Sequence, residues 1–352
     1  VMRDEVDRKA FILKRGHYDD KGEEVDPGLP EAFSPVPEGE SLTRLDLARW
    51  LVDGEHPLTS RVFVNRIWEQ FFGTGIVKSS ENLGRQSDWP SHPQLLDWIA
   101  VDFVESGWDV KGLIRAIVMS RSYRQSSIID EERLQRDPEN RLLSRGPRTR
   151  LQAEMLRDQA LFLSGLLVER IGGPSWWVYQ PAGLWLEGEK RGTFVQDHGE
   201  KLYRRSLYSR IRRTVAPPSM LLFDMPSREM CSVKRTLTNT PLQALALLNE
   251  VTYVEAAKKF AERMMTKGGT PGERIAWGFR CATSRVAEKG ELEILVKGYE
   301  RRVERYRRDG KAAEDLLGQG ESKVADYLPK PEMAALTTVA NVILNLDEVI
   351  NR

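Results

Sequence analysis

Helical periodicity is clearest in the ten residues Phe63-Val64-Asn65-Arg66-Ile67-Trp68-Glu69-Gln70-Phe71-Phe72. Apolar side chains recur there at every fourth position in two adjacent rows, Phe63, Ile67 and Phe71 in one and Val64, Trp68 and Phe72 in the other. Side chains four residues apart lie on one face of an α-helix, so two adjacent rows give a broad apolar face. A helix with such a face is buried on most sides. The stretch therefore predicts a helical core.

The same period recurs along most of the chain. Six further amphipathic segments follow, over residues 96–103, 110–118, 151–170, 240–265, 292–306 and 336–346. Gly172-Gly173-Pro174 is expected to end the 151–170 helix. Thr240-Pro241-Leu242-Gln243 matches a capping box that begins the next helix. We therefore predict a mainly α, multi-helix globular domain in which more than half of the residues are helical.

Two parts of the chain depart from this period. Residues 1–40 hold four prolines among several glycines, and proline prevents helix interior structure. They are predicted to form an extended arm before a single helical domain over residues 41–352. Within that domain, residues 172–235 are rich in tryptophan, arginine, proline and glycine, which predicts a long irregular insertion. A functional site is expected there, because loops on a rigid scaffold carry function.

Composition and charge argue against several classes of protein. The chain carries 53 basic and 52 acidic residues, so a net charge of +1 gives no general attraction for nucleic acid or for an anionic membrane. No apolar run approaches the roughly 18 residues that span a bilayer, so no membrane span is expected. The start, Val1-Met2-Arg3-Asp4, is not a signal peptide, and we expect a piece of a longer protein.

The chain has two cysteines, Cys231 and Cys281, and neither lies in a zinc-binding or haem-attachment spacing. The four histidines form no metal-binding motif either. No metal and no cofactor are therefore expected in this chain. Two buried thiols are the simpler expectation, while a disulfide between them stays open because the sequence does not give their separation.

Seven short strings in the chain resemble one known family. They are His56-Pro57-Leu58-Thr59-Ser60-Arg61-Val62 with Asn65-Arg66-Ile67-Trp68, Pro90-Ser91-His92-Pro93 with Leu95-Leu96-Asp97-Trp98, Ser122-Tyr123-Arg124-Gln125-Ser126-Ser127, Asp137-Pro138-Glu139-Asn140-Arg141-Leu142-Leu143, Tyr203-Arg204-Arg205-Ser206-Leu207-Tyr208, Thr238-Asn239-Thr240-Pro241-Leu242-Gln243-Ala244-Leu245 and Leu344-Asn345-Leu346-Asp347-Glu348. Each string alone is common, but seven in this order are specific. Together they resemble the domain-of-unknown-function family numbered 1553, the PSD1-like or planctomycete-type cytochrome-associated domain, from about residue 42 onward.

The resemblance implies a setting rather than a reaction. Domains of this family usually end long secreted proteins that begin with a c-type haem module and a sister helical domain, and they are suspected of a part in polysaccharide use. The resemblance therefore implies an extracytoplasmic location, either periplasmic or secreted. It also implies partners in the N-terminal haem and sister helical domains of the same longer protein, and a glycan ligand or a redox partner. It carries over no catalytic residue.

The insertion contains one group suited to acid–base chemistry, in the run Gln196-Asp197-His198-Gly199-Glu200. Imidazole titrates near neutral pH, and neighbouring carboxylates can orient it or share its proton. Asp197, His198 and Glu200 are therefore the catalytic candidates. An exposed polar loop is the simpler interpretation of the same residues.

Aromatic and basic residues surround this group. Flat aromatic faces beside charged hydrogen-bonding groups suit a sugar, so four residues are predicted to line the main cleft and bind the ligand: Trp185, His198, Tyr203 and Arg205. Six cations with two tyrosines lie between Lys201 and Arg213, a pattern that also occurs in phosphate-binding proteins. The balanced charge of the whole chain argues against nucleic acid.

Polar residues inside the helical stripes need buried partners. Asn65 and Arg66 lie among aromatic residues, and Glu154, Arg157 and Asp158 share one predicted helix. Arg157 is expected to bridge the two carboxylates, because like charges four residues apart on a helix repel each other. A structural network and a ligand pocket both stay open for these residues.

Three functions remain open at this stage. The first is a helical ligand-binding or accessory module of an extracytoplasmic protein. The second is a carbohydrate-active enzyme that uses Asp197, His198 and Glu200, and the third is a purely structural interaction domain. Aromatic platforms and paired carboxylates in one cleft would favour the enzyme, and a flat surface would favour the interaction domain.

Overall fold

The computed structural model of the chain describes residues 9–30, 32–33, 42–181, 184, 195–212 and 215–351. About 52 % of the described residues are helical, in fifteen α-helices and three short 3-10 helices, and the described residues also form one two-stranded sheet. The prediction of a mainly α protein is confirmed, with more than half of the described residues in helices. The chain divides into two compact units, Val1–Pro147 and Arg148–Arg352. The predicted domain boundary at residue 40 stays a prediction.

The predicted arm contains a β-hairpin. Strand β1 (Ala10–Leu13) pairs antiparallel with β2 (Lys21–Val25), so that Ala10 lies opposite Val25. A register shift between Phe11 and Leu13 interrupts the pairing. The chain reverses through Arg15 and Gly16, whose φ angles of +49° and +76° lie in the left-handed region. Glycine adopts that region without strain, which favours the turn at this point.

The first unit has six helices among its described residues: α1 (Arg44–Leu51), α2 (Thr59–Phe72), α3 (Pro93–Glu105), α4 (Val110–Met119), α5 (Arg121–Arg124) and α6 (Glu131–Arg136). The two apolar rows of α2 pack as predicted. Val64, Trp68 and Phe72 are buried, and the ring of Phe63 stacks on Phe103 of α3 with ring centroids 5.1 Å apart. Apolar residues of α3 and α4 complete this core, among them Leu96, Ile99, Leu113 and Ile117.

A buried amide links α2 to the chain that follows it. Asn65 donates from Nδ2 to the Val77 carbonyl at 3.0 Å and to the Ser80 hydroxyl at 3.2 Å. Its Oδ1 accepts from the Val77 amide at 2.8 Å. The backbone approaches so closely that a Cβ on Gly75 would lie 2.6 Å from the amide nitrogen of Asn65. Asn65 therefore has a structural role in the first unit.

The second unit has nine helices among its described residues: α7 (Ala153–Ser164), α8 (Pro218–Leu222), α9 (Pro241–Asn249), α10 (Val251–Met265), α11 (Pro271–Thr283), α12 (Lys289–Arg308), α13 (Gly310–Leu317), α14 (Lys330–Leu344) and α15 (Asp347–Ile350). Its main core lies between α10, α11, α12 and α14. Small residues such as Ala257, Ala261 and Ala340 are fully buried there beside Phe260 and Met333. Small side chains at the contact allow helix axes to approach closely.

Two helix boundaries differ from the prediction. Helix α7 ends at Ser164 instead of near residue 170, because Gly165 adopts a left-handed φ of +78° and its amide caps the helix by bonding to the Leu161 carbonyl. The helix predicted over residues 240–265 is two helices. Glu250 has an extended ψ of 137° between them, and its carboxylate accepts from the Thr252 amide at 2.9 Å, which begins α10.

The two cysteines are free and exposed, so the expectation of buried thiols is wrong and the two are not bonded to each other. Cys231 lies in the irregular loop between α8 and α9, and Cys281 lies on the solvent-facing side of α11. Two isolated cysteines form no periodic pattern, so the sequence does not show which side of a helix they occupy. The exposure of Cys281 depends on how α11 packs against its neighbours in space.

One buried amide holds the loop before α9. The side chain of Gln243 is almost fully buried, and its Oε1 accepts from Arg150 at 2.8 Å and from the Thr240 backbone amide at 3.2 Å. Its Nε2 donates to the Leu222 carbonyl at 2.9 Å and to the Thr238 hydroxyl at 3.1 Å. The predicted capping box of Thr240 and Gln243 is present. Its threonine half is the weaker one, because the Thr240 hydroxyl is buried and faces the Gln243 backbone amide without hydrogen-bond geometry.

We expect Gln243→Ala to lower the free energy of unfolding by about 2 kcal/mol or more, because it leaves several buried partners unpaired. Thr240→Val should change it by less than about 0.5 kcal/mol, since the Thr240 hydroxyl makes no hydrogen bond to any described residue. Urea denaturation of both variants measures the difference. Equal losses in the two variants would show that the threonine caps the helix after all.

A single arginine joins three elements of the second unit. Arg285 follows α11 and binds Glu291 in the first turn of α12 through two hydrogen bonds of 2.8 and 2.6 Å. It also binds Glu348 of α15 through two hydrogen bonds of 2.7 and 2.6 Å. These bonds from Arg285, followed by one from the Glu288 amide, lower the pKa of Glu291 to about 2.

This pKa predicts a pH dependence of stability. Because the folded pKa of Glu291 lies below its unfolded value, its contribution is fully present above about pH 4.5 and is lost as the pH falls toward about 2. Glu291→Gln should therefore reduce the slope of unfolding free energy against pH between about pH 5 and 3. Glu293→Gln, on the exposed side of the same helix, is the control and should keep the wild-type slope. Identical slopes in all three proteins would refute the assignment.

Candidate functional site

One face of α10 carries charged side chains that bind the chain between α13 and α14. Four residues share this face at helical spacing: Glu255, Lys258, Lys259 and Glu262. Lys259 Nζ donates to the Lys323 carbonyl at 3.2 Å, and Glu262 Oε1 accepts from the Ala325 amide at 3.1 Å. Residues 317–325, which these contacts hold, are called the clamped segment below.

Glu255 is the acceptor at the centre of this arrangement. Its side chain is almost fully buried, and its Oε1 accepts from the Ser322 amide at 2.6 Å. The same oxygen accepts from the phenol of Tyr203 at 2.8 Å, and Oε2 accepts from the phenol of Tyr179 at 3.1 Å. Tyr179 in turn accepts from the Glu321 amide at 3.1 Å. Glu255 thereby connects the irregular insertion with the clamped segment.

Lys258 binds the same segment through its ammonium group. Its ammonium group is fully buried and donates to the carbonyls of Leu317 at 3.1 Å, Gln319 at 2.6 Å and Ser322 at 2.6 Å. Burial lowers the pKa of Lys258, while the nearby Glu255 acts in the opposite direction. Three carbonyls match the three N–H donors of an ammonium group. Lys258 therefore fixes the curvature of the clamped segment.

The clamped segment tolerates only glycine at one position. Gly320 has a φ of +72°, and a Cβ there would lie 2.3 Å from the carboxyl carbon of Glu255. A side chain would thus collide with the central acceptor as well as strain the backbone. The close approach is what allows the Ser322 amide to reach Glu255.

Both tyrosines remain hydrogen-bond donors in this environment. Burial raises the pKa of Tyr179, and the neighbouring Glu255 carboxylate raises it further. Burial also raises the pKa of Tyr203, together with its hydrogen bond to Glu255. The two phenols are therefore neutral at physiological pH and stabilise the buried carboxylate. They serve to position the site rather than to exchange protons.

His198 meets the clamped segment at its edge. Its Nδ1 pairs with Glu321, whose other oxygen accepts from the Gly199 amide at 2.9 Å. Burial raises the pKa of Glu321, but the hydrogen bonds from Gly199 and His198 outweigh it, so the pKa lies below its ordinary value. A histidine oriented by a carboxylate can act as an acid–base group through its second nitrogen.

The other two catalytic candidates have different surroundings. Asp197 accepts from the Trp177 amide at 2.9 Å and from the Lys201 ammonium at 2.9 Å. Burial raises the pKa of Asp197, but these two partners outweigh it and lower the pKa. Glu200 is exposed and has no hydrogen bond or ion pair among the described residues. His198 thus pairs with Glu321 and not with either predicted carboxylate, and the catalytic role of the three residues stays a prediction.

The three predicted ligand-binding residues that the structure describes do not lie together. Tyr203 and His198 are joined through Glu255 and the clamped segment, as described above. Arg205 lies elsewhere and faces Glu169 at 3.4 Å. Trp185 lies outside the described residues. Their predicted role in binding stays a prediction.

Buried arginines fix the insertion from inside. Arg157 of α7 donates to the carbonyls of Arg204 at 3.0 Å and of Leu202, and lies over the ring of Trp176 at 4.6 Å. Arg204 in turn donates to carbonyls of the 170–174 loop and lies over the ring of Tyr208 at 4.3 Å. Part of the basic run is therefore structural.

The expectation that Arg157 bridges two carboxylates of its helix holds for one of them: Arg157 Nη1 lies 3.8 Å from Asp158 Oδ1 but does not pair with Glu154. Glu154 pairs instead with Arg235, through two hydrogen bonds of 2.7 and 3.1 Å. Asp158 accepts from the amide and the hydroxyl of Ser206, both at 2.7 Å. Helical spacing places the three side chains in one region, but Glu154 and Asp158 form their hydrogen bonds with residues that are distant in the sequence.

A cavity of about 580 Å³ opens on the clamped segment. Its charged lining residues are Glu314, Glu321, Lys323, Asp326 and Lys330. Glu314 and Lys330 form an ion pair at 2.8 Å. Because Glu321 belongs to both the cavity wall and the His198 contact, the cavity adjoins the part of the insertion in which a site was predicted.

Sequence reasoning missed the residues that organise this site. Glu255, Lys258 and Glu321 carry no motif, and Glu321 lies far along the chain from His198. One signal was present for two of them. Glu255 and Lys258 lie among apolar residues of α10, in positions where a charged side chain must be paired.

Within the described residues, no group of three or more histidine, cysteine, aspartate and glutamate side chains is arranged to hold a metal ion. None of the described helices combines the length and the apolar character that crossing a bilayer requires.

The fold and this site define a mainly α-helical domain in which an irregular insertion is fastened to a helix by buried charges. Residues 43–299 match the PSD1 family, whose description is a protein of unknown function (DUF1553). The match covers most of the chain, so the chain belongs to this family, and the resemblance in the sequence is confirmed over the matched residues. It includes Glu255 and Lys258 and ends before Glu321. No curated protein and no solved structure matches the chain.

Substitutions of Lys258 and Glu255 test whether these two residues hold the clamped segment. Lys258→Met should lower the free energy of unfolding by at least about 2 kcal/mol, because three buried carbonyls lose their donor. Glu255→Ala should cost at least as much, since it removes the acceptor of two phenols and an amide.

Ser322→Ala is the matched control, because the Ser322 hydroxyl is buried without a partner among the described residues. Its unfolding free energy in guanidinium should stay within about 0.5 kcal/mol of the wild-type value. A loss in this control as large as that of Lys258→Met would contradict the role of Lys258 in holding the clamped segment.

Proposed function

We propose that the chain is a ligand-binding module, and that its cavity beside the clamped segment takes a neutral, polyhydroxylated ligand such as a glycan. The observation that carries the proposal is the set of charged groups of both signs around one cavity. Three carboxylates and two ammonium groups line it, so its formal charge is only −1. Hydroxyl groups of a sugar donate to carboxylates and accept from ammonium groups.

Two of these groups are available for a ligand. The Asp326 carboxylate and the Lys323 ammonium have no hydrogen-bonding partner among the described residues, whereas Glu314, Lys330 and Glu321 are paired. Polar groups that point into a cavity without internal partners give orientation and specificity to a bound molecule. Asp326 and Lys323 are therefore the residues that we assign to contact the ligand.

Rigid support favours binding at this place. The wall of the cavity is the clamped segment, which Lys258 and Glu255 hold through main-chain contacts. A site whose backbone is already ordered loses less conformational entropy when the ligand binds.

The cellular setting is also part of the proposal. We propose an extracytoplasmic location and a place in a longer, cytochrome-associated protein with an N-terminal haem module and a sister helical domain. This rests on the family resemblance alone. A redox partner as the bound species fits the cavity less well than a glycan, because the cavity holds polar groups suited to a small hydroxylated molecule.

A second candidate function is a carbohydrate-active enzyme. The observation that favours it is the pairing of His198 with Glu321 at the edge of the same cavity. In this case His198 would exchange a proton with a bound sugar, and Asp197 and Glu200 would act from nearby. Release of reducing sugar by the wild-type protein, and its loss in His198→Ala, would distinguish this enzyme from a binding module.

We expect at least one neutral soluble polysaccharide, from a set that includes xylan, mannan and β-glucan, to retard the protein in affinity electrophoresis. Titration calorimetry with the corresponding oligosaccharide should then give a Kd that Asp326→Asn and Lys323→Met each raise about tenfold, the loss of about 1.4 kcal/mol. These side chains are exposed, so the melting temperature should not change.

Arg205→Ala is the matched control, since Arg205 belongs to the predicted ligand set but faces Glu169 outside this cavity. It should leave the Kd unchanged. Absence of binding to any of these polysaccharides, or an equal effect of Arg205→Ala and Asp326→Asn, would refute the proposal.

A further inference from the structure

A second cavity of the Arg148–Arg352 unit has a different chemistry. It lies at the C-terminal end of α7 and has a volume of about 560 Å³, within the usual range of small-molecule sites. Phe162, Leu163 and Leu167 form apolar walls. The rest of its lining consists of Gly165, Glu169, Arg263 and Cys281.

The only carboxylate of this lining is already engaged. Glu169 faces the guanidinium group of Arg205 at 3.4 Å. Arg263, in contrast, has no carboxylate partner among the described residues. One of its terminal nitrogens, Nη1, donates to main-chain carbonyls at the end of α7, and its Nε and Nη2 donate to none of the described residues. An arginine with free donors beside apolar walls is arranged to meet an anion.

Two more cations lie near the same place. Arg263 and Lys267 lie over the ring of Trp277, at 5.6 and 5.9 Å from its centroid. Arg280 directly precedes the lining residue Cys281 on α11. Burial raises the pKa of the Cys281 thiol, and these three cations act against that rise. Cations are therefore concentrated around this cavity, although the whole chain is nearly neutral.

We propose that this cavity binds a small amphipathic anion, an apolar chain or ring that ends in a carboxylate. The apolar walls bury the hydrocarbon part, which is favourable in proportion to the area removed from water. Arg263 binds the carboxylate through its free donors, and Lys267 and Arg280 add long-range attraction. A neutral glycan does not suit these walls, because they offer its hydroxyl groups few partners. The site is thus independent of the proposed glycan cavity.

Cys281 makes the proposal measurable. It lines the cavity, whereas Cys231 is exposed in the loop between α8 and α9 and does not. The probe is decanoate, used below its micelle concentration, on the full chain. Iodoacetamide alkylates both thiols, and mass spectrometry of the two peptides gives the rate at each cysteine. Decanoate should slow the alkylation of Cys281 at least about fivefold, because bound ligands are mostly enclosed by their pockets. The rate at Cys231 should not change.

The charge requirement is tested with a neutral probe and with variants. Decanol at equal concentration should protect Cys281 less than about twofold, since it lacks the carboxylate that Arg263 binds. Arg263→Met should raise the decanoate concentration for half protection about tenfold. Because Arg263 also bonds to carbonyls of α7, the double variant Lys267→Met with Arg280→Met provides a second test that leaves those bonds intact. It should raise the same concentration about threefold.

Three outcomes count against the proposal. Equal protection by decanol and decanoate would show that only the apolar walls bind. Protection of both cysteines, or of neither, would show that no ligand occupies this cavity. Unchanged protection in the folded Arg263→Met protein would overturn the assigned role of Arg263.

Discussion

The buried ammonium group of Lys258 is the interaction on which the site depends. An isolated charge in the interior is strongly unfavourable, so this one is stable only because three carbonyls of the clamped segment accept its three N–H bonds. The requirement acts in both directions, because those carbonyls lie in irregular chain and also need donors. Glu255, one helical turn earlier, extends the arrangement to Tyr179 and Tyr203 of the insertion. Helix α10, the insertion and the clamped segment therefore share one polar core.

The same principle recurs at the other end of the insertion. Arg157 and Arg204 are buried, stack on Trp176 and Tyr208, and donate to main-chain carbonyls rather than to carboxylates. Irregular chain cannot pair its own carbonyls as helices and sheets do, and a long cationic side chain supplies several donors from one position. Cations that look like a binding surface in the sequence thus become internal supports. The groups left for ligands are those at the edges of this scaffold.

Those edges carry two cavities with opposite character. One is lined by carboxylates and ammonium groups that nearly cancel in charge, and its wall is held by Lys258. The other has apolar walls and the guanidinium group of Arg263, which has no carboxylate partner among the described residues. The first suits a ligand with many hydroxyl groups, and the second suits a ligand with a hydrocarbon part and one negative charge. A chain of nearly zero net charge can contain both cavities, because the fold determines which charged side chains lie beside each one.

The sequence by itself determined the helical class, the family and the place of the irregular insertion, because each follows from local spacing or from short strings. The rows of α2 packed as their spacing predicted, since side chains four residues apart must share a face. Local signals did not predict the helix boundaries at Gly165 and Glu250. At both positions the sequence is compatible with a continuing helix, and tertiary packing determines where the helix ends. They also could not pair His198 with Glu321 or place Arg205 beside Glu169, because those partners lie far apart in the chain. Only the tertiary structure brings such groups together, since a buried charge selects its partner by position in space and leaves no periodic mark on the sequence.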